Sequence, residues 1–291
     1  SRTHHAIVDL KGRIIGSLAG RPVGDLTWHD DCVDTYLAMD EAKEDLKLSK
    51  DQRYHRRGDY PALSTGISYG GGQTVSSVRL NRPIVKKLLR RRGPRRISGF
   101  MNATFALGSP KMYKYFESNI AEILDHDPSL ELPYDNSIRA ATTFNFGPQA
   151  FTKTHLDFAN LPNGWCSIAS LGEYNPRTGG QIILHRAKLV IEFPPHSVMH
   201  ILSAAFPHGN IPIGLDETRA SITQYTAGAL FRRVAYGHRT EQEFQDQDPD
   251  GWAAMDASKH ERWRESVALF SKYDELATDI ETVFNVQQKV D

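Results

Sequence analysis

Residues 138–234 constrain the fold more than any other part of the chain. From Ile138 to Val234 the sequence is cut into short runs rich in Ile, Val, Thr, Phe and Tyr, separated by Gly, Pro and Asn. β-branched and aromatic side chains suit a pleated, half-buried surface, and Gly, Pro and Asn supply the turns between such surfaces. The runs 140–146, 166–171, 181–185, 188–193, 197–202 and 220–226 read as strands. Short strands with turn signals between them indicate an all-β sandwich, jelly roll or barrel.

The flanking sequence has a different period. Residues 24–48 place Leu26, Cys32, Val33, Tyr36, Leu37 and Met39 at roughly helical spacing. Pro83 to Arg92 reads as a short basic helix stopped by Gly93-Pro94, and Tyr113 to Leu124 as another helix. After an acidic stretch from Glu241, residues 252–286 read as helical. Residues 61–78, with Gly66, Gly70, Gly71 and Gly72, read as a loop; it lacks the Gly-Lys-Ser/Thr ending of a phosphate-binding loop. The expected fold class is α+β. A β jelly-roll core over 138–240 follows a helical and loop N-terminal region, 1–137, that packs on it, and precedes a C-terminal helical extension, 241–291.

The chain has 291 residues, enough for a substantial buried core. No apolar run reaches the roughly 18 residues of a membrane span, so none is expected. No apolar stretch with a cleavage site follows Ser1-Arg2-Thr3-His4-His5, so the start does not read as a signal peptide. Two cysteines, Cys32 and Cys166, are too few for a disulfide framework or a cysteine-rich zinc site, and they fit a reducing, intracellular compartment. The oligomeric state leaves no trace in the sequence.

The net charge is zero, which argues against a general nucleic-acid binder, but its distribution is uneven. Residues 51–100 hold twelve Lys and Arg against two acids, Asp51 and Asp59. The densest part is Lys86, Lys87, Arg90, Arg91, Arg92, Arg95 and Arg96. Such asymmetry fits a surface that faces a polyanion, or a solvated basic helix face balanced by acids elsewhere in the fold.

Thr154-His155-Leu156-Asp157 follows a candidate strand. On extended backbone, residues two apart point to one side, so His155 and Asp157 can reach a single ion. A second histidine from a later strand would complete a 2-His-1-carboxylate set, the ligand pattern of non-haem Fe(II) oxygenases. The later histidines are His185, His196, His200 and His208. If the ligand strand forms a hairpin with the next strand, pairing His208 with Arg219 puts the turn at Ile213-Gly214, and pairing His200 with Arg219 puts it at Gly209-Asn210. Both are turn-like, with the longer Pro212-Ile213-Gly214-Leu215-Asp216 segment favouring His208. His185 and His196 fit strand surfaces or loops. Arg219 opens the next strand, and its guanidinium suits the distal carboxylate of a diacid co-substrate such as 2-oxoglutarate. Ser221, two residues on, faces the same way.

The order His-x-Asp, Gly179-Gly180, distal His, then Arg219-Ala220-Ser221 resembles the double-stranded β-helix 2-oxoglutarate oxygenases. Within these the chain is most similar to the TET/JBP superfamily, and especially its fungal branch. The likeness runs over residues 140 to 240, through Gly164-Trp165-Cys166, the KLVIEFPP run from Lys188 to Pro195, Ser203 to Asn210, Arg219 to Tyr225 and Gly228 to Arg232; the upstream run from Gly66 to Gln73 also fits. This resemblance implies a double-stranded β-helix (jelly-roll) core flanked by N- and C-terminal helices, with Fe(II) held by His155, Asp157 and His208. It implies 2-oxoglutarate held by Arg219 and Ser221. It also implies a nucleobase pocket, because the motif continues His155-Leu156-Asp157-Phe158-Ala159-Asn160 and Tyr225 lies six residues after Arg219: Asn160 would hydrogen-bond a flipped base and Tyr225 would stack on it. The implied partner is duplex DNA, with Lys86, Lys87, Arg90, Arg91, Arg92, Arg95 and Arg96 on its phosphates and a nuclear location. The chain lacks the family's cysteine-rich zinc region and the histidine shortly after the stacking Tyr, where Thr226-Ala227 stands instead. Two rival readings remain: the same oxygenase chemistry on a small metabolite or a protein side chain, and a non-catalytic binding protein on a degenerate oxygenase fold.

Overall fold

The computed structural model describes residues 4–67 and 75–284. In chain order the elements are β1 (His5–Val8), β2 (Ile14–Gly20), α1 (Trp28–Asp45), α2 (Lys50–Arg53), β3 (Ala62–Gly66), α3 (Val75–Arg90), α4 (Arg92–Gly108), α5 (Pro110–His126), β4 (Ala141–Asn145), β5 (Cys166–Leu171), β6 (Ile182–Leu184), β7 (Leu189–Ile191), β8 (Val198–Ile201), β9 (His208–Asn210), β10 (Ala220–Tyr225), α6 (Gly228–Ala235), α7 (Glu241–Gln247), α8 (Pro249–Ala257), α9 (Lys259–Ala268) and α10 (Leu276–Phe284). Each of the six expected strands is present, trimmed by a residue or two at most ends.

Seven strands form one sheet in the order β1-β2-β8-β5-β10-β4-β3, and three form a second in the order β7-β6-β9; every pairing is antiparallel. Consecutive strands alternate between the two sheets along much of the core, which makes it a double-stranded β-helix with helices before and after it. Side-chain alternation assigns the two faces of the large sheet. Phe144, Ala169, Leu171, Val198, Ala220 and Ile222 point outward and are buried with Cys32 and Met39 of α1, Val85 and Leu88 of α3, and Ile97 and Met101 of α4. Ile168, Met199 and Ile201 point inward and pack against Ile182 and Leu184 of the small sheet. Truncating a core aromatic such as Phe144 costs about 3–5 kcal/mol in comparable interiors.

The N-terminal region departs from the expectation of helices and loops alone. β1 and β2 extend one edge of the large sheet, and β3, inside the expected glycine loop, closes the other. Gly70, Gly71 and Gly72 of that loop, and part of the Gly66–Gln73 run, lie outside the described residues. The basic helix also differs. It begins at Val75 with Pro83 inside it, and Gly93-Pro94 open α4 instead of ending α3. Proline is tolerated in a first helical turn, where its missing N–H has no partner to lose. Glycine is required beside it, because a Cβ on Gly93 would sit 2.4 Å from the Asp31 carbonyl oxygen of α1. The C-terminal helical stretch is broken into α8, α9 and α10. No described helix is long and apolar enough to cross a membrane.

Candidate metal centre and co-substrate pocket

The sequence around residue 155 supplies too few consecutive β-formers for a long strand, and only a single bridge forms there. His155 N–H donates to the His208 carbonyl and His208 N–H to the His155 carbonyl, both at 2.9 Å. This reciprocal pair ties the segment to β9 and brings the two imidazoles side by side, with ring centroids 4.3 Å apart. Asp157 is fixed by its N–H on the Ser203 carbonyl, 3.0 Å away. One ligand atom from each of His155, Asp157 and His208 then lies within 4.8 Å of the others. The closest approaches are 3.5 Å from His155 Nε2 to Asp157 Oδ1 and 3.9 Å from His208 Nε2 to Asp157 Oδ2. Metal bonds of about 2.1 Å set neighbouring ligands roughly 3 Å apart, so a small contraction would close the set on one ion.

The imidazoles are also oriented for ligation. His155 Nδ1 lies 2.9 Å from the Lys153 carbonyl and His208 Nδ1 2.9 Å from the Phe206 carbonyl. A carbonyl accepts only, so each Nδ1 carries the proton and each Nε2 presents its lone pair to the shared point. Burial, then the neighbouring His155, pulls the His208 pKa down to about 4, which keeps it neutral near pH 7. Burial would raise the Asp157 pKa, but the His155 hydrogen bond and the charges of His208, His155 and Arg57 outweigh it and hold the value at about 2. Two imidazole nitrogens and one carboxylate make a donor set that fits a divalent transition metal.

The pocket beside the ligands lies between the two sheets, has a cavity volume of about 40 Å³ and opens to solvent. Arg219 lines it from the start of β10 and is only 3% exposed. Its Nη1 donates to the Ala150 carbonyl at 2.7 Å and to Asn210 Oδ1 at 3.4 Å. Its Nε is buried without a partner, and Nη2 makes no hydrogen bond among the described residues. The Nε–Nη2 edge is the one that binds a carboxylate through two parallel bonds, and here that edge is held open inside the pocket. Ser221 accepts from Asn145 Nδ2 at 3.0 Å, which leaves its own hydroxyl proton to donate. Asn145 lines the same pocket from β4. Sequence reasoning missed it, as it missed Arg57 and Tyr60: strand pairing places Asn145, and the segment between α2 and β3 places the other two through hydrogen bonds to Lys153 and Thr152. The available signal was the alternation on 140–146, which faces residue 145 inward once the sheet order is known.

The other histidines are placed elsewhere. His200 sits on β8 with its side chain on the outward face of the large sheet, fully buried, with Nδ1 2.9 Å from Ser167 Oγ and Nε2 2.9 Å from Thr104 Oγ1. His196 lies in the turn before β8, 3.1 Å from His29 Nδ1. His185 reaches Thr154 Oγ1 at the rim, 2.8 Å away. Burial, followed by the nearby Arg139 charge and His4, holds the His200 pKa well below the usual 6.5. The unfolded chain therefore takes up a proton near pH 6.5 that the folded one refuses. Stability is greatest above pH 6.5 and falls as pH drops below it. His200→Gln is expected to remove about one proton from this dependence, flattening the slope by up to about 1.4 kcal/mol per pH unit. Thermal unfolding of both proteins from pH 7 to 5 measures it, and parallel curves would contradict it.

The remaining sequence-derived residues are not gathered at one place. Asn160 is half-buried, with its Nδ2 on Ser203 Oγ at 3.1 Å and its Oδ1 without a partner among the described residues. Tyr225 shares the inward face of β10 with Ser221 and Thr223 and packs on the cluster that holds Cys166 and Ile168, two residues of the pocket wall. The basic segment lies behind the large sheet, on the side opposite the metal ligands. Arg91 pairs with Asp34, Arg92 with Asp31, Arg95 with Asp135, and Arg96 with Asp25 and Asp31. Lys86, Lys87 and Arg90 have no ion pair among the described residues. The structure thus favours the balanced, solvated reading for most of these charges.

No protein-family model matches the chain, and no curated protein matches it. Among solved structures it is similar to NgTET1 in complex with 5mC DNA, at 13% identity over 78% of this chain and 78% of that one, with a TM-score of 0.47. It is also similar to a Pseudomonas putida prolyl-4-hydroxylase (16% identity, 67% and 86% covered, TM-score 0.32). A third is the viral collagen prolyl hydroxylase of Paramecium Bursaria Chlorella virus-1 in its 2OG complex (10% identity, 67% and 88% covered, TM-score 0.30). At these identities no residue role passes from one chain to the other.

Proposed function

We propose that this protein is an Fe(II)- and 2-oxoglutarate-dependent dioxygenase that oxidises a methyl group on a nucleobase in DNA. One observation carries the oxygenase part: two imidazoles and a carboxylate converge in a pocket where a buried guanidinium keeps its bidentate edge free. In this reading His155, Asp157 and His208 hold the iron, and Arg219 with Ser221 binds the far carboxylate of 2-oxoglutarate. With dioxygen, that pair supplies the oxidising chemistry, in which 2-oxoglutarate becomes succinate and carbon dioxide while a substrate C–H becomes C–OH. The chain's own residues do the rest. The two backbone carbonyls behind the imidazoles set their tautomers, Asn145 turns the Ser221 hydroxyl toward the co-substrate, and Cys166, Ile168 and Ile182 make the pocket wall partly apolar.

The nucleobase part rests on Asn160 and Tyr225. The free Oδ1 of Asn160 suits the exocyclic amine of cytosine or adenine. Tyr225 lies on the strand face that leads from Arg219 past the pocket. A base inside a duplex is out of reach of a metal between two sheets, so it must be everted. On 5-methylcytosine the product is the 5-hydroxymethyl base; on N6-methyladenine, hydroxylation releases formaldehyde and removes the methyl. Such a protein works on chromosomal DNA, in the nucleus. The test is mass spectrometry of methylated oligonucleotides incubated with protein, Fe(II), ascorbate and 2-oxoglutarate. Loss or oxidation of a methyl, with matching succinate, supports the reading. Succinate without any change in the bases would shift the substrate to a metabolite or protein side chain, and no succinate at all would remove the oxygenase reading.

Asn145→Ala is expected to raise the KM for 2-oxoglutarate severalfold, about the value of one neutral hydrogen bond of 0.5–1.5 kcal/mol. Steady-state succinate kinetics measure it, and an unchanged KM would show that Ser221 needs no such orientation.

A further inference from the structure

Phe158 follows the ligand Asp157 in the chain, yet it is 77% exposed. The Arg56 guanidinium lies 5.1 Å from its ring centroid. Arg56 Nη1 donates to the Leu156 carbonyl at 2.8 Å, and Nη2 lies 3.8 Å from Asp157 Oδ1. The cation is therefore anchored to the ligand segment and covers one side of the ring, while the rest of the ring meets solvent. Arg57, the next residue, lines the pocket half-buried and has no ion pair among the described residues. Gly58 closes the tight turn of this segment: a Cβ there would come within 2.3 Å of the Phe151 carbonyl oxygen. The turn thus holds both guanidinia at the mouth of the metal site. An exposed aromatic ring, an Arg56 whose one ion pair among the described residues is the long contact to Asp157, and an Arg57 with none occur together there, and the basic helices do not reach that side.

Building on the nucleobase reading above, we propose that Phe158 is the platform on which a base neighbouring the oxidised one stacks, and that Arg56 and Arg57 bind the phosphates on either side of it. Every base has a π face, so a phenyl ring tolerates any neighbour. Guanidinia bind phosphate oxygens through paired hydrogen bonds and make that binding salt-dependent. The rim, not the α3–α4 helices, then positions the nucleic acid.

The test is fluorescence anisotropy of a labelled single-stranded oligonucleotide carrying one 5-methylcytosine, titrated with the full chain at two salt concentrations. Phe158→Ala is expected to raise Kd roughly fivefold or more, the loss of one stacked base, and Phe158→Trp to restore it. Arg56→Ala and Arg57→Ala are each expected to reduce the salt dependence by about one phosphate contact. Because Phe158 is exposed, its variants should melt within about 2 °C of the parent, so a folding defect is recognised separately. The proposal is overturned if Phe158→Ala binds like the parent, or if a Lys86→Ala/Lys87→Ala/Arg90→Ala variant loses affinity while the rim variants do not. Oxidation of methylated oligonucleotides by Phe158→Ala at unchanged KM would sink this platform and leave the nucleobase reading standing. A parent protein that neither binds nor oxidises oligonucleotides would remove both.

Discussion

Asp157→Asn is expected to abolish succinate formation, by roughly a thousandfold or more, through loss of the metal. The substitution keeps the shape of the side chain and removes its charge. Asp157 has a pKa near 2 and is the one anionic donor of the set. The two imidazoles that remain bring no negative charge to compensate that of a divalent ion, and metal affinity falls accordingly. Anaerobic titration with Fe(II), or with Mn(II) as a spectroscopic stand-in, measures binding apart from turnover. The backbone bond from residue 157 to the Ser203 carbonyl does not depend on the side chain, so the local structure should persist. A variant that still binds the metal with parental affinity would show that Asp157 is not a ligand.

Arg219→Ala is expected to raise the KM for 2-oxoglutarate about 30- to 4,000-fold while leaving metal affinity nearly unchanged. Truncating one partner of a buried charged hydrogen-bonded pair costs about 2–5 kcal/mol, and each 1.4 kcal/mol is tenfold. Arg219 also supports the Ala150 carbonyl and Asn210, so the alanine variant removes two internal bonds as well. Arg219→Lys separates the effects. It keeps the charge but has no planar fork, and a rise of about tenfold is expected from the missing second bond. Isothermal titration with 2-oxoglutarate in the presence of Mn(II) reads binding directly. If neither variant weakens 2-oxoglutarate binding, the free guanidinium edge serves another anion.

Much of the core was legible because its strands obey local rules. The segments 140–146 and 220–226 are dense in β-formers and are followed closely by Gly or Pro signals, so their strands needed no tertiary information. β1, β2 and β3 were missed for the opposite reason. Ile14–Gly20 holds two glycines and an alanine, and Ala62–Gly66 is small and polar; such sequences become strands only where a paired neighbour supplies the hydrogen bonds. Gly93-Pro94 reads locally as a helix stop, although the same pair suits a first turn, and the close approach of α1 to α4 decides between them.

Residue spacing by itself pointed to His155 and Asp157 as side chains able to share an ion. His155 and Asp157 are two apart on extended backbone, and a distal histidine followed by Arg219 and Ser221 completes a recognisable order. The choice of that histidine was a tertiary matter. His200 and His208 differ in which face of a sheet they occupy, and only strand pairing assigns a face: β8 turns His200 outward onto Ser167 and Thr104, while the single bridge to His155 turns His208 inward. The location of the positive charge was tertiary in the same way. Composition counts cations but not their neighbours, and folding set Asp25, Asp31, Asp34 and Asp135 against Arg96, Arg92, Arg91 and Arg95 on the far side of the sheet. A local pattern can specify chemistry because side-chain direction repeats along the chain; which side of the molecule that chemistry faces is decided by contacts between residues distant in sequence.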